Sequence, residues 1–154
     1  EEYEAKAREL ASRVMDPARY LFEVIGADRL ARPRNAEPRK VAVHLSCHEK
    51  LEHQMTATDN YTRRLLDLIP NLEIVPMKGA DECCGQGGPW GLTGHYDLSV
   101  ELRKDKIANI VDSGADVVTS WCLGCMIQMR DGLGQADSPI RVLHPLELLA
   151  EAYA

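Results

Sequence analysis

Apolar residues recur at helical spacing through the first fifteen positions. Leu10 and Val14, with Tyr3 and Ala7, fall on one side of a predicted helix. Asp16-Pro17 ends that helix and can open another, with Asp16 as N-cap and Pro17 in the first helical position. The second helix carries Leu21, Val24 and Ile25. Residues 31–39, with Pro33 and Pro38, read as an extended connector.

From residue 41 the pattern changes. Val41-Ala42-Val43-His44-Leu45-Ser46-Cys47 is a short β-branched run, a strand that delivers a cysteine at its C-terminal end. A helix is predicted over 58–69 with Tyr61, Leu65, Leu68 and Ile69 inward, stopped by Pro70-Asn71. A second strand covers 72–77, shortened by Pro76, which lacks a ladder donor. A glycine-rich loop follows. Residues 97–113 form the longest predicted helix, with Leu98, Leu102, Ile107, Ile110 and Val111 mostly on one side and Gly114 as its C-terminal αL cap. The third strand, 116–122, again ends on a cysteine. Cys122-Leu123-Gly124-Cys125 opens a helix to about Asp131, a fourth strand covers 140–145, and residues 146–154 close the chain as a helix.

Strands alternating with helices imply right-handed βαβ crossovers. The expected fold is α/β: a single domain over 1–154, with residues 1–40 as a helical lead-in and connector. Its four-stranded, mostly parallel sheet is flanked by helices on both faces. In open α/β sheets ligands bind outside the carboxyl ends of the strands. Cys47, Cys83-Cys84 and Cys122 all fall at or just after a strand end, so all five cysteines should gather on that edge.

Composition narrows the function. At 154 residues the chain can bury about two-thirds of its unfolded surface. A net charge of -6 argues against nucleic-acid binding, which needs clustered Lys and Arg. No apolar run approaches a membrane span, no signal peptide opens the chain, and the first residue is Glu rather than Met, as in an excised domain or a processed chain. Five cysteines cannot form a complete internal disulfide framework. Together these point to a reducing, cytoplasmic compartment and to metal ligation.

The chemistry centres on Asp81-Glu82-Cys83-Cys84-Gly85-Gln86-Gly87-Gly88-Pro89-Trp90-Gly91. Adjacent cysteines lie too close for a relaxed mutual disulfide. They can both aim thiolates into one pocket if Gly85, Gly87 and Gly88 turn the backbone, and the glycine N–H groups can then approach sulfur. As a dinucleotide fingerprint the loop fails, because Trp90 occupies the third glycine position. Thirty-five residues separate Cys47 from Cys83, and thirty-seven separate Cys84 from Cys122-x-x-Cys125. A Cys-x-x-Cys opening a helix stabilises thiolates at the positive dipole end. Thiolate sulfur suits both iron–sulfur clusters and zinc; a fifth thiolate exceeds what tetrahedral zinc uses. The alternative is a structural zinc-binding module that mediates assembly; a further one, a metal-free thiol–disulfide oxidoreductase acting through Cys122 and Cys125, would leave three cysteines without a purpose.

His44, Cys47, His48 and His53 crowd one segment, yet Glu52 stands where a zinc-protease motif needs its second His. His48 reads as a surface residue that could pass protons near the site. Trp90, Trp121, Met126 and Met129 read as core, and Arg103, Lys104 and Lys106 as a solvated helix face or a partner-docking surface.

The motifs Cys83-Cys84-Gly85-x-Gly87-Gly88, Ser113-Gly114-Ala115-Asp116, Cys122-Leu123-Gly124-Cys125-Met126-Ile127-Gln128 and His144-Pro145 with Glu147-Leu148-Leu149 resemble the cysteine-rich (CCG) domain. That domain occurs in heterodisulfide reductase and in the iron–sulfur subunits of bacterial glycolate, lactate and anaerobic glycerol-3-phosphate oxidases. The resemblance runs from about Val41 to Ala154. It implies an electron-transfer module that holds an iron–sulfur cluster, [4Fe–4S] and in some members non-cubane, through Cys47, Cys83, Cys84, Cys122 and Cys125, with zinc in other relatives. It implies a partner oxidoreductase subunit or domain carrying flavin or further clusters, with any membrane association made through that partner. Members often carry two such cysteine sets; here there is one.

Overall fold

The computed structural model describes residues 2–26, 29–30, 33, 37–53 and 60–154; the predicted helix start at Thr58 and the His53 side chain lie outside them. The chain divides into two compact units, residues 1–32 and 33–154. The first holds α1 (Glu2–Arg13), α2 (Pro17–Tyr20) and a π-turn (Leu21–Gly26). Asp16 caps α2 as its sequence predicts: the carboxylate accepts the Ala18 and Arg19 N–H groups at 2.8 and 3.1 Å. Tyr3, Leu10 and Val14 on the apolar side of α1, and Val24 after α2, are all exposed. The apolar spacing of α1 is real, but no described residue of this unit covers it.

The second unit is built on β1 (Arg39–Val43), β2 (Leu72–Ile74), β3 (Val117–Thr119) and β4 (Arg141–Leu143). Every pairing is parallel, in the order β2-β1-β3-β4. Ala42, Val118 and Val142 pack into a core with Ile107, Ile110, Met126, Met129 and Leu133. Val41, Val43 and Val117 alternate with them along the strands and are buried as well, so the sheet is apolar on both faces, as a parallel sheet requires. Each strand is shorter than its apolar run, because the residues after it leave the ladder to build loops at the carboxyl edge. The helices are α3 (Cys47–His53), α4 (Tyr61–Leu66), α5 (Pro89–Thr93), α6 (Tyr96–Asp112), α7 (Leu123–Gln135) and α8 (Pro145–Tyr153). Gly114 takes the left-handed conformation (φ 66°) that ends α6, as expected.

The chain leaves β1 towards β2 on one side and returns to β3 on the other. The carboxyl ends of β1 and β3 therefore form the point where the winding reverses, the crevice in which open parallel sheets bind ligands.

Helix α6 corrects the sequence expectation. Leu102 is 57% exposed, and Leu98 and Val111 are also exposed, whereas Arg103 and Lys106 retain only 3% and 2% of their surface. The buried face runs through Ser99, Arg103, Lys106, Ile107 and Ile110. Polar groups occupy it because they serve the neighbouring loop and helix. Lys106 Nζ donates to the Gly79 carbonyl, Ser99 Oγ donates to the Gly85 carbonyl at 2.8 Å, and Arg103 pairs with Asp131 of α7. Lys104 alone of the three cations stays solvated, paired with Glu101. Asp131 also accepts the Tyr96 hydroxyl at 2.7 Å. Asp131→Ala should cost about 1–2 kcal/mol in urea unfolding, the penalty for a buried guanidinium that loses its acceptor, moderated because Asp131 itself reaches water.

Candidate metal centre

Three loops at the carboxyl edge build the site. The first follows β1. His44 N–H donates to the Thr119 carbonyl at 2.9 Å, clamping the ends of β1 and β3 together. Ser46 and Glu49 then form a reciprocal cap: Glu49 Oε2 accepts the Ser46 N–H and hydroxyl at 2.9 and 2.8 Å, and the Glu49 N–H returns to Ser46 Oγ at 3.3 Å. This Ser-x-x-Glu box starts α3 and puts Cys47 in its first turn, where the sulfur stays exposed. The box is legible in the sequence and places a helix at Cys47 rather than a strand end.

The second loop carries the cysteine pair. Glu82 N–H closes a turn onto the Gly79 carbonyl at 3.0 Å, and Lys50 Nζ of α3 donates to the Asp81 carbonyl at 3.0 Å. The chain then turns through Gly85, Gly87 and Gly88 at φ 81°, 63° and 63°. Gly85 has no room for a side chain: a Cβ would lie 2.9 Å from Arg103 N and 3.0 Å from Ser99 O. Gln128 of α7 braces this packing, donating to Ser99 Oγ and O at 2.8 and 3.1 Å. The turn splits the pair. Cys83 is exposed and its sulfur accepts the Gly85 N–H at 3.3 Å, whereas Cys84 is buried, with the Gln86 N–H directed at its sulfur. Gly88 N–H binds the Gln86 side chain instead, at 2.6 Å. Trp90, expected in the core, is half exposed and stacks on His95 at 4.1 Å, because Pro89 starts α5 on the rim of the loop.

The third loop follows β3. Ser120 Oγ accepts the Cys122 N–H at 3.4 Å, and Trp121 meets His144 edge-on at 4.7 Å. Cys122 is the N-cap of α7, and Cys125 is buried one turn in. The Gly124 and Cys125 N–H groups face Cys122 Sγ without closing formal cap hydrogen bonds. Met126 and Met129 are core, as expected.

Cys84, Cys125 and a ring nitrogen of His44 lie within 4.8 Å of one another, all buried. Cys125 sits between Cys84 and Cys122 and keeps its proton. Its S–H, shared with Cys122 and then Cys84, and its burial push its pKa up. The same hydrogen bond brings Cys84 down to about 4 against the opposing effect of burial, with the Gln86 N–H assisting. Cys122 falls to about 5, first through Cys125, then through the facing N–H groups and exposed His48. Burial lowers the Lys106 pKa, opposed by the Cys84, Glu82 and Asp81 charges. The helical pattern alone sets this lysine in solvent. Only the packing of α6 beneath the loop reveals it as a cation close to the thiols.

The site thus joins three of the five cysteines, Cys84, Cys122 and Cys125, and adds His44. Cys47 and Cys83 are on the same edge, but no described contact links them to the other three. With the metal absent, Cys122 should react with iodoacetamide at a rate rising through pH 5 and flat above about pH 6, since its thiolate forms as pH rises past that depressed value; Cys125 should resist throughout. Peptide mapping of alkylated protein reads this. A Cys122 rate still climbing between pH 8 and 9 would contradict it.

Buried thiols and an imidazole at the switch point of a parallel sheet form a candidate metal site in a cysteine-rich α/β domain. The chain belongs to the CCG cysteine-rich domain family, whose profile matches residues 41–130. It is similar to lactate utilization protein A of Geobacillus kaustophilus (strain HTA426), with 27% identity over 148 residues covering 96% of this chain and 59% of that protein. The corresponding protein of Geobacillus thermodenitrificans (strain NG80-2) is 28% identical over the same coverage, and that of Exiguobacterium sp. (strain ATCC BAA-1283 / AT1b) is 30% identical over 74% of this chain and 45% of its own length. The chain spans less than two-thirds of these relatives. Among the described residues no helix is long and apolar enough to cross a membrane.

Proposed function

We propose that the chain is the iron–sulfur electron-transfer module of a larger oxidoreductase, holding a [4Fe–4S]-type cluster through Cys47, Cys83, Cys84, Cys122 and Cys125. The observation that carries this reading is the convergence of Cys84, Cys122 and Cys125 at the sheet's switch point, with Cys47 and Cys83 on the same edge. The donor chemistry fits: two of the sulfurs are poised as thiolates, the form that ligates iron, and a buried imidazole nitrogen beside them lacks any hydrogen-bond partner. When bound, the cluster would supply one-electron acceptance and release. The protein's own part is to hold the sulfurs, direct the Gly85 and Gln86 N–H groups at them, and keep the Lys106 charge nearby; each favours the more reduced, more negative state.

The relatives' name, lactate utilization, favours a parent oxidoreductase of the 2-hydroxy acid or glycerol-3-phosphate oxidase kind, with heterodisulfide reductase-like chemistry as the alternative that the cysteine set supports. Electrons would enter from a flavin or cluster on a partner subunit or domain and leave to another carrier. Thiolate ligation of this kind belongs in a reducing compartment such as the cytoplasm. The test is iron, acid-labile sulfide and zinc analysis after anaerobic purification. Iron and sulfide in near-equal amounts, several per chain, support the reading; one zinc with no sulfide overturns it.

A further inference from the structure

His44 is the group at the site that the five-cysteine reading leaves unused. It is 1% exposed and stands at the carboxyl end of β1. Its backbone N–H is fixed by Thr119, and its ring Nδ1 lies 3.2 Å from the Ala80 carbonyl, which also accepts the Leu45 N–H. A carbonyl only accepts, so Nδ1 carries the hydrogen and the neutral ring presents a lone pair at Nε2. That Nε2 is buried and has no hydrogen-bond partner. A histidine placed only for packing would leave an unsatisfied polar atom, at a cost of about 1–3 kcal/mol. Here the ring is instead gathered with the sulfurs of Cys84 and Cys125 within 4.8 Å. Ring Nδ1–H to a backbone carbonyl, with Nε2 free, is how a metal-ligating imidazole is held in orientation.

We propose that His44 Nε2 is itself a metal ligand, making the buried part of the centre a mixed nitrogen–sulfur donor set with Cys84 and Cys125. Such a set takes a borderline cation, ferrous iron or zinc, and distinguishes this centre from one ligated by thiolate alone. The inference rests on the metal-centre reading, and its test separates the two.

The chain, labelled with ¹⁵N-histidine, is loaded with Co²⁺ as a paramagnetic probe. Absorption reports thiolate-to-cobalt charge transfer, and pulsed electron paramagnetic resonance reports histidine nitrogen on the metal. The expected result is both signals in the unaltered chain, with the nitrogen coupling lost and cobalt affinity reduced about tenfold or more in His44→Ala. The coupling should persist in His48→Gln, which removes the other nearby imidazole. Charge transfer without nitrogen coupling in the unaltered chain, or coupling that survives in His44→Ala, overturns the His44 assignment and leaves the metal centre standing. Absence of thiolate-to-cobalt bands overturns both. Because the coupling is read in the unaltered chain, the result does not depend on the variant folding.

Discussion

Cys84→Ser is expected to reduce bound iron at least about tenfold, with a matching loss of visible absorption. Cys84 is the innermost sulfur of the loop, 2% exposed, beside both Cys125 and His44. Its thiolate is held in place by three features: the Cys125 S–H, the Gln86 N–H and the packing of Gly85 on α6. A hydroxyl at this position neither ionises in this range nor offers soft donor electrons. Cys84→Ala removes the sulfur without burying a hydroxyl, and should lose iron as fully while the metal-free chain unfolds much as the unaltered one does. Cys47→Ser separates two versions of the centre. Its loss should lower iron content, since Cys47 is one of the five proposed ligands; unchanged iron content would confine the centre to the buried set.

Gly85→Ala should be a strongly damaging single-methyl change at the site, at about 2–4 kcal/mol in chemical unfolding. Two penalties act together. The backbone there has φ 81°, a conformation that L-residues resist. The added methyl would also meet the Arg103 amide nitrogen at 2.9 Å and the Ser99 carbonyl at 3.0 Å, both main-chain atoms of α6 that cannot rotate away. The same change pushes the loop off α6 and breaks the Ser99 Oγ bond to the Gly85 carbonyl, so metal binding should weaken with stability. Gly88→Ala provides the comparison. A Cβ there meets no atom within 4 Å, so only the backbone penalty of about 1–3 kcal/mol remains, for a conformation (φ 63°, ψ −149°) that is essentially glycine's alone.

The parallel sheet and the edge at which the cysteines collect were legible in the chain. β-branched runs such as Val41-Ala42-Val43 and Val117-Val118-Thr119 recur with helical segments between them, and parallel topology follows from that alternation. The capping of α2 by Asp16 and the left-handed turn at Gly114 were legible for the same reason: each depends on neighbours in sequence. What was not legible depends on packing between distant segments. Leu98, Leu102 and Val111 suggested an apolar inward face, yet α6 turns Ser99, Arg103 and Lys106 inward, because loop carbonyls and Asp131 need donors there. No periodicity distinguishes a lysine that meets water from one that meets a buried carbonyl. His44 is hidden in the same way. As one histidine among several it carries little signal, and only the Ala80 carbonyl, thirty-six residues away, orients its ring beside the sulfurs.

We propose that these thiolates hold a redox-active iron–sulfur centre. Electron paramagnetic resonance on the anaerobically purified chain, poised first oxidised and then reduced, tests it most directly. A low-temperature cluster signal that appears in one state and vanishes reversibly in the other, and that is absent from Cys84→Ser, is the result expected here. Silence in both states from a chain carrying one zinc and no iron would contradict it.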